Sequence, residues 1–74
     1  MTEVVRALIV DDEDRICFTL KEALQRVGYI VTTASSGEGA LEVLRERAFD
    51  VAVVDLNLGG EVDGLDVLEA IRWR

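Results

Sequence analysis

The sequence predicts an α/β fold built on a parallel sheet, and three observations point to it. Two apolar runs, Leu8-Ile9-Val10 and Val51-Ala52-Val53-Val54, lack the polar alternation of a half-solvated strand and read as strands buried on both faces. A stretch of amphipathic helical spacing follows each strand. The connections between strands are too long for hairpins and suit right-handed crossovers, which set successive strands parallel.

The first strand covers about residues 5–10. After it Ile16, Cys17, Leu20, Ala23, Leu24 and Val27 recur at helical spacing, and Gly28 stands where a left-handed cap is expected, giving a helix over about 14–27. Tyr29 to Thr33 is β-branched and aromatic, a second strand over about 29–33 whose Thr32 and Thr33 suit an exposed edge. Ser35-Ser36-Gly37-Glu38 has the capping-box form, with Ser35 three residues ahead of Glu38, and opens a second helix over about 36–47. The third strand spans about 50–55. Gly59, Gly60 and Gly64 mark a turn, and Asp63 is placed to cap a third helix over about 64–73 that carries Leu65, Leu68 and Ile71. Trp73 reads as a side chain that has lost its packing partner.

A chain of 74 residues makes one domain with a small core. Half the residues are hydrophobic and there is no proline, which fits a packed unit and not a disordered one. Fifteen acids against eight bases give a net charge of -7, a field that repels nucleic acid and anionic membrane surfaces and attracts cations. Cys17, among apolar helical positions and in a chain without histidine, reads as a small core residue in a reducing compartment. No run approaches the roughly 20 apolar residues of a membrane span, so the cytoplasm is the expected location.

The chemistry lies where the apolar runs end. Leu8-Ile9-Val10 finishes in Asp11-Asp12, and Val51 to Val54 finishes in Asp55. Ligands of open parallel sheets sit just beyond the strand C-termini, and adjacent strands lie only about 4.8 Å apart, so neighbouring first and third strands bring three carboxylates together. Either one carboxyl takes up a proton or a hard divalent cation neutralises the group, and magnesium suits carboxylate, carbonyl and water ligands. Asp11 and Asp12, paired at the entry to a helix, read as the metal holders. Asp55, alone at its strand end, is placed to act as a nucleophile and form an acyl phosphate.

Each segment also has a plainer reading. Asp12, Glu13 and Asp14 suit a helix N-terminus, and Asp55 to Gly60 suits an ordinary turn. The occurrence of both endings in one chain, a crossover unit apart, favours the site. Gly37 and Gly39 form only an isolated G-x-G after the edge strand and receive no role, so no cofactor-binding residue is assigned. A magnesium-dependent phosphohydrolase usually adds a second acid shortly after its nucleophile, where this chain has Asn57.

Leu8 to Glu13, Ala34 to Leu41 and Phe49 to Leu58 together resemble the receiver domain of two-component response regulators, over almost the whole chain. The resemblance implies a partial flavodoxin-like, doubly wound parallel sheet of three βα units with strand order 2-1-3. It implies that Asp55 accepts a phosphoryl group from a phosphohistidine of a sensor histidine kinase or phosphotransfer protein. Magnesium is then held by Asp12, Asp55 and the backbone carbonyl of Asn57, with Asp11 supporting it through water. Such a domain is a phosphoacceptor switch and not an enzyme, although an intact one can catalyse its own phosphoryl transfer.

Two departures stand out. Leu58-Gly59-Gly60 occupies the place where the family usually has proline, in a loop one residue longer. The family has five strand-helix units, and the strand-four hydroxyl and strand-five lysine that contact the phosphoryl group have no counterpart in these three, so phosphorylation and switching are expected to be impaired. The third strand is then an open apolar edge, which is expected to drive self-association. The alternative function is an interaction or assembly module that uses the same fold without phosphorylation.

Overall fold

The computed structural model describes residues 3–72. Its elements run β1 (Arg6–Val10), α1 (Asp14–Arg26), β2 (Ile30–Ala34), α2 (Gly37–Glu46), β3 (Val51–Val54) and α3 (Gly64–Arg72). All six lie within a residue or two of their sequence-based bounds; Trp73 lies outside the described residues. The sheet has the order β2-β1-β3 and both pairings are parallel, with Val10 aligned to Ala34 on one side and to Val54 on the other.

Alternation along the strands splits the core in two. Leu8, Val10 and Ala34 join Ala40 and Leu44 of α2, Leu58 of the loop after β3 and Val67 of α3 in one cluster, with Ala52 and Val54 packed against it. Ala7 and Ile9 point to the opposite face, where α1 packs over β1 and β2. With neighbours on both sides and helices on both faces, Ala7 to Val10 have no exposed surface.

The reading of β3 as buried on both faces needs correction. Val51 and Val53 are 38% and 40% exposed, because α1 packs mainly over β1 and β2 and covers β3 little on that side. The same geometry leaves Ile16 and Ala23 exposed on α1 and Val27 exposed at its C-cap, while Cys17 is buried and Leu20 and Leu24 are half-buried. The apolar stripe of α1 is therefore wider than the surface it covers.

Three of the helix ends have an identifiable cap. At the end of α1 Gly28 takes φ +94°, with its N–H donating to the Gln25 carbonyl and that of Tyr29 to the Leu24 carbonyl, the paired bonds of a Schellman cap. The N-cap of α2 is Ser36, not Ser35: Ser36 Oγ accepts from the Gly39 N–H at 3.0 Å. Glu38 is consequently one residue too early to complete a capping box. Ser36→Ala is expected to lower stability by about 1 kcal/mol in urea or thermal unfolding, since the Gly39 N–H loses its partner. Asp63 caps α3 as expected, and Asp66 returns the contact. The Asp66 N–H donates to Asp63 Oδ1 at 3.0 Å and the Asp63 N–H to Asp66 Oδ2 at 3.1 Å.

Candidate functional site

The winding of the sheet creates the site. The chain leaves β1 to one side for β2 and returns across to β3 on the other, so the strand order reverses between β1 and β3, and loops diverge there from the strand C-termini. Backbone bonds carry the ladder one residue past each strand. The Asp11 N–H donates to the Ala34 carbonyl at 3.1 Å, and the Asp55 N–H to the Val10 carbonyl at 2.8 Å. Both aspartates are thereby fixed to the central sheet before their side chains make any contact.

Asp11, Asp12 and Asp55 each offer a carboxylate oxygen, and these atoms all lie within 4.8 Å of one another. Asp11 and Asp55 are half-buried and Asp12 is exposed. Two of the side chains also shape their own loops. Asp11 Oδ1 accepts from the Glu13 N–H at 2.9 Å, and Asp55 Oδ1 accepts from the Asn57 N–H at 3.0 Å, the same two-residue turn at both strand ends. The Asn57 N–H thus lies against the Asp55 carboxylate.

Three carboxylates at this spacing repel one another in the absence of a counter-charge. Their oxygens are hard donors, half-sheltered and open to water on one side, which is the donor set that fits magnesium. Cys17 lies next to Asp11, its thiol donating to the Asp11 carbonyl at 3.2 Å. Burial pushes that thiol above its usual range and the Asp11 carboxylate pushes the same way, outweighing the opposing effect of the hydrogen bond. The thiol stays protonated at neutral pH and acts as a core group, in line with its sequence-based reading.

Two features of the surroundings escaped sequence reasoning. The Arg6 N–H donates to Asp50 Oδ2 at 2.9 Å, tying together the far ends of β1 and β3, and no periodic signal marks such a contact. Gly64 is buried at the first turn of α3, against the backbone of Asp55 and Leu56. The Asp63-Gly64 pair was legible only as a turn and a cap.

The sequence from residue 7 to 74 matches the response regulator receiver domain model. The chain is 46% identical over 67 residues to the alginate biosynthesis transcriptional regulatory protein AlgB of Pseudomonas aeruginosa, a match covering 90% of this chain and 15% of AlgB. It is 43% identical over 65 residues to the transcriptional regulatory protein AfsQ1 of Streptomyces coelicolor, covering 88% of this chain and 28% of that protein. Among solved structures, the response regulator TrrA of Thermotoga maritima, in complex with Mg2+-BeF, superposes with a TM-score of 0.87 at 40% identity. That match covers 95% of this chain and 60% of the TrrA chain. The α/β sheet order, the carboxylate cluster and these likenesses lead to one conclusion: this chain belongs to the response regulator receiver domains of two-component systems.

Proposed function

We propose that Asp55 accepts a phosphoryl group from a phosphohistidine on a sensor histidine kinase or phosphotransfer protein. The convergence of Asp11, Asp12 and Asp55 within 4.8 Å at the strand-order reversal carries this reading. The likeness to TrrA, solved with magnesium and a beryllium fluoride, supports it. Asp11, Asp12, Asp55 and the backbone carbonyl of Asn57 are the groups that would hold magnesium. A bound magnesium ion supplies the positive charge that offsets both the carboxylates and the phosphoryl oxygens.

Asp55 is the nucleophile in this reading because it stands alone at the end of β3, whereas Asp11 and Asp12 are paired at the entry to α1 and suit the metal. The Asp55 N–H is bound to β1 and its Oδ1 to the Asn57 N–H, which leaves Oδ2 as the attacking atom. The Oδ2–phosphorus bond forms as the phosphorus–nitrogen bond breaks, and the electron pair returns to the imidazole nitrogen, which takes a proton from solvent. The product is an acyl phosphate on Asp55. No helix of the described residues is long and apolar enough to cross a membrane. A cytoplasmic place of action and no direct contact with nucleic acid accompany the reading, the latter because a net charge of -7 opposes it.

The test is incubation with magnesium and either acetyl phosphate or a phosphorylated kinase, followed by intact mass and hydroxylamine treatment. A single phosphoryl group, formed only with magnesium and released by hydroxylamine, is expected. Absence both of incorporation and of saturable magnesium-dependent amide shifts at Asp11, Asp12 and Asp55 would overturn the proposal.

Assembly forms part of the same reading. β3 has a strand on one side only among the described residues, and its Val51 and Val53 face is open, so a second copy is the proposed occupant of that edge. Sedimentation velocity is expected to show a concentration-dependent dimer that strengthens as salt screens the net charge, and that Val53→Lys weakens. A monodisperse monomer across moderate concentrations would exclude it.

A further inference from the structure

Gly64 lies within α3, where glycine is a poor helix former, and its φ is not positive, so backbone conformation does not explain its presence. Space does. A Cβ at this position would fall against the Asp55 carbonyl oxygen, 2.5 Å from Leu56 Cα and 2.9 Å from the Asp55 carbonyl carbon. All three are backbone atoms, so no side-chain rotation relieves the contact.

The start of α3 cannot slide away from this contact. The reciprocal Asp63 and Asp66 bonds set where the helix begins, and Val67, on the same helix face one turn later, is fully buried in the core cluster. The first turn of α3 is therefore held between the core and the strand end that carries Asp55. Opening the Leu56 contact to an ordinary van der Waals distance requires a shift of about 1 Å, a displacement that can cost on the order of a hundredfold in reactions governed by orientation.

We propose that Gly64 is a positioning residue: its missing side chain lets α3 seat the Asp55 backbone at the place from which the carboxylate meets Asp11 and Asp12. The inference rests on Asp55 being the phosphoacceptor for its rate readout, but not for its placement readout.

The experiment compares wild type, Gly64→Ala and Val67→Ala. The second variant leaves a small cavity behind α3 and lowers stability, adds no atom near Asp55, and keeps the reciprocal Asp63 and Asp66 bonds that set where the helix begins. Gly64→Ala is expected to weaken magnesium binding about tenfold and to slow acetyl phosphate uptake about a hundredfold. It is also expected to shift the Asp55 amide resonance and to speed its hydrogen exchange relative to neighbouring β3 amides. In Val67→Ala, affinity and rate per folded molecule stay within about twofold of wild type and the Asp55 resonance stays in place.

Trimethylamine oxide restores any loss of folded population, read by far-UV circular dichroism, before the comparison is made. Wild-type affinity and an unmoved Asp55 amide in folded Gly64→Ala overturn the proposal, as does equal perturbation in Val67→Ala. If the wild type neither takes up a phosphoryl group nor shows saturable magnesium-dependent shifts, the phosphoacceptor reading fails, and an Asp55 amide displaced only in Gly64→Ala still upholds the positioning role.

Discussion

Asp55→Asn is expected to reduce phosphoryl uptake to background while the fold persists. The amide lacks the anionic oxygen that attacks phosphorus, and no other residue of the cluster replaces it, because Asp11 and Asp12 belong to the loop after β1 and not to the end of β3. Structure survives because asparagine keeps a carbonyl oxygen to accept the Asn57 N–H that Asp55 Oδ1 now binds at 3.0 Å. Removing one of three mutually repelling charges is expected to stabilise the metal-free domain by roughly 0.5 kcal/mol, less in high salt. The two effects have opposite signs. Intact mass after acetyl phosphate treatment and urea unfolding, run on the same preparation, check both. A fully labelled variant would assign the phosphoryl group to another residue.

Leu8→Ala carries the largest expected effect on stability. Leu8 has no exposed surface, sits on the central strand, and meets side chains from both α2 and α3. Truncation removes about three carbons' worth of transfer free energy and leaves a cavity that flanking strands on both sides prevent from closing, a loss of about 3 kcal/mol. A domain this small has about 5 kcal/mol of stability to lose. The expected result is a remaining stability of about 2 kcal/mol, an unfolded population of a few per cent at 37 °C, and a much lower denaturant midpoint by far-UV circular dichroism. A midpoint within experimental error of the wild type would mean that the core does not depend on the β1 face turned to α2 and α3.

Much of the site was legible because its logic is one of strand ends. An apolar run that stops at aspartate shows where a buried strand meets solvent, and two such runs a crossover apart place Asp11, Asp12 and Asp55 on one sheet edge. Burial was harder to read. Val53 and Ile9 are both β-branched residues in apolar runs, yet Ile9 is fully covered and Val53 is not, because coverage depends on where α1 comes to lie. Adjacent serines likewise offered two N-caps, and the backbone settled on Ser36. Gly64 was read as part of a turn, since sequence shows that a side chain is missing but not which backbone occupies its place.

The separation between β1 and β3 along the chain has a kinetic consequence. Arg6 and Asp50, hydrogen bonded at the far ends of these strands, are 44 residues apart, so the β1–β3 pairing closes a much longer loop than β1–β2. Loop closure becomes costlier with length, and non-local pairing is the slow part of folding an α/β domain. The three carboxylates come together only once that longest loop has closed. A ligand of the cluster therefore acts mainly on the rate of unfolding, leaving the rate of folding nearly unchanged. Release of β3 from β1 dismantles the cluster in a single event, while α1 and β2 keep their contacts with the central strand.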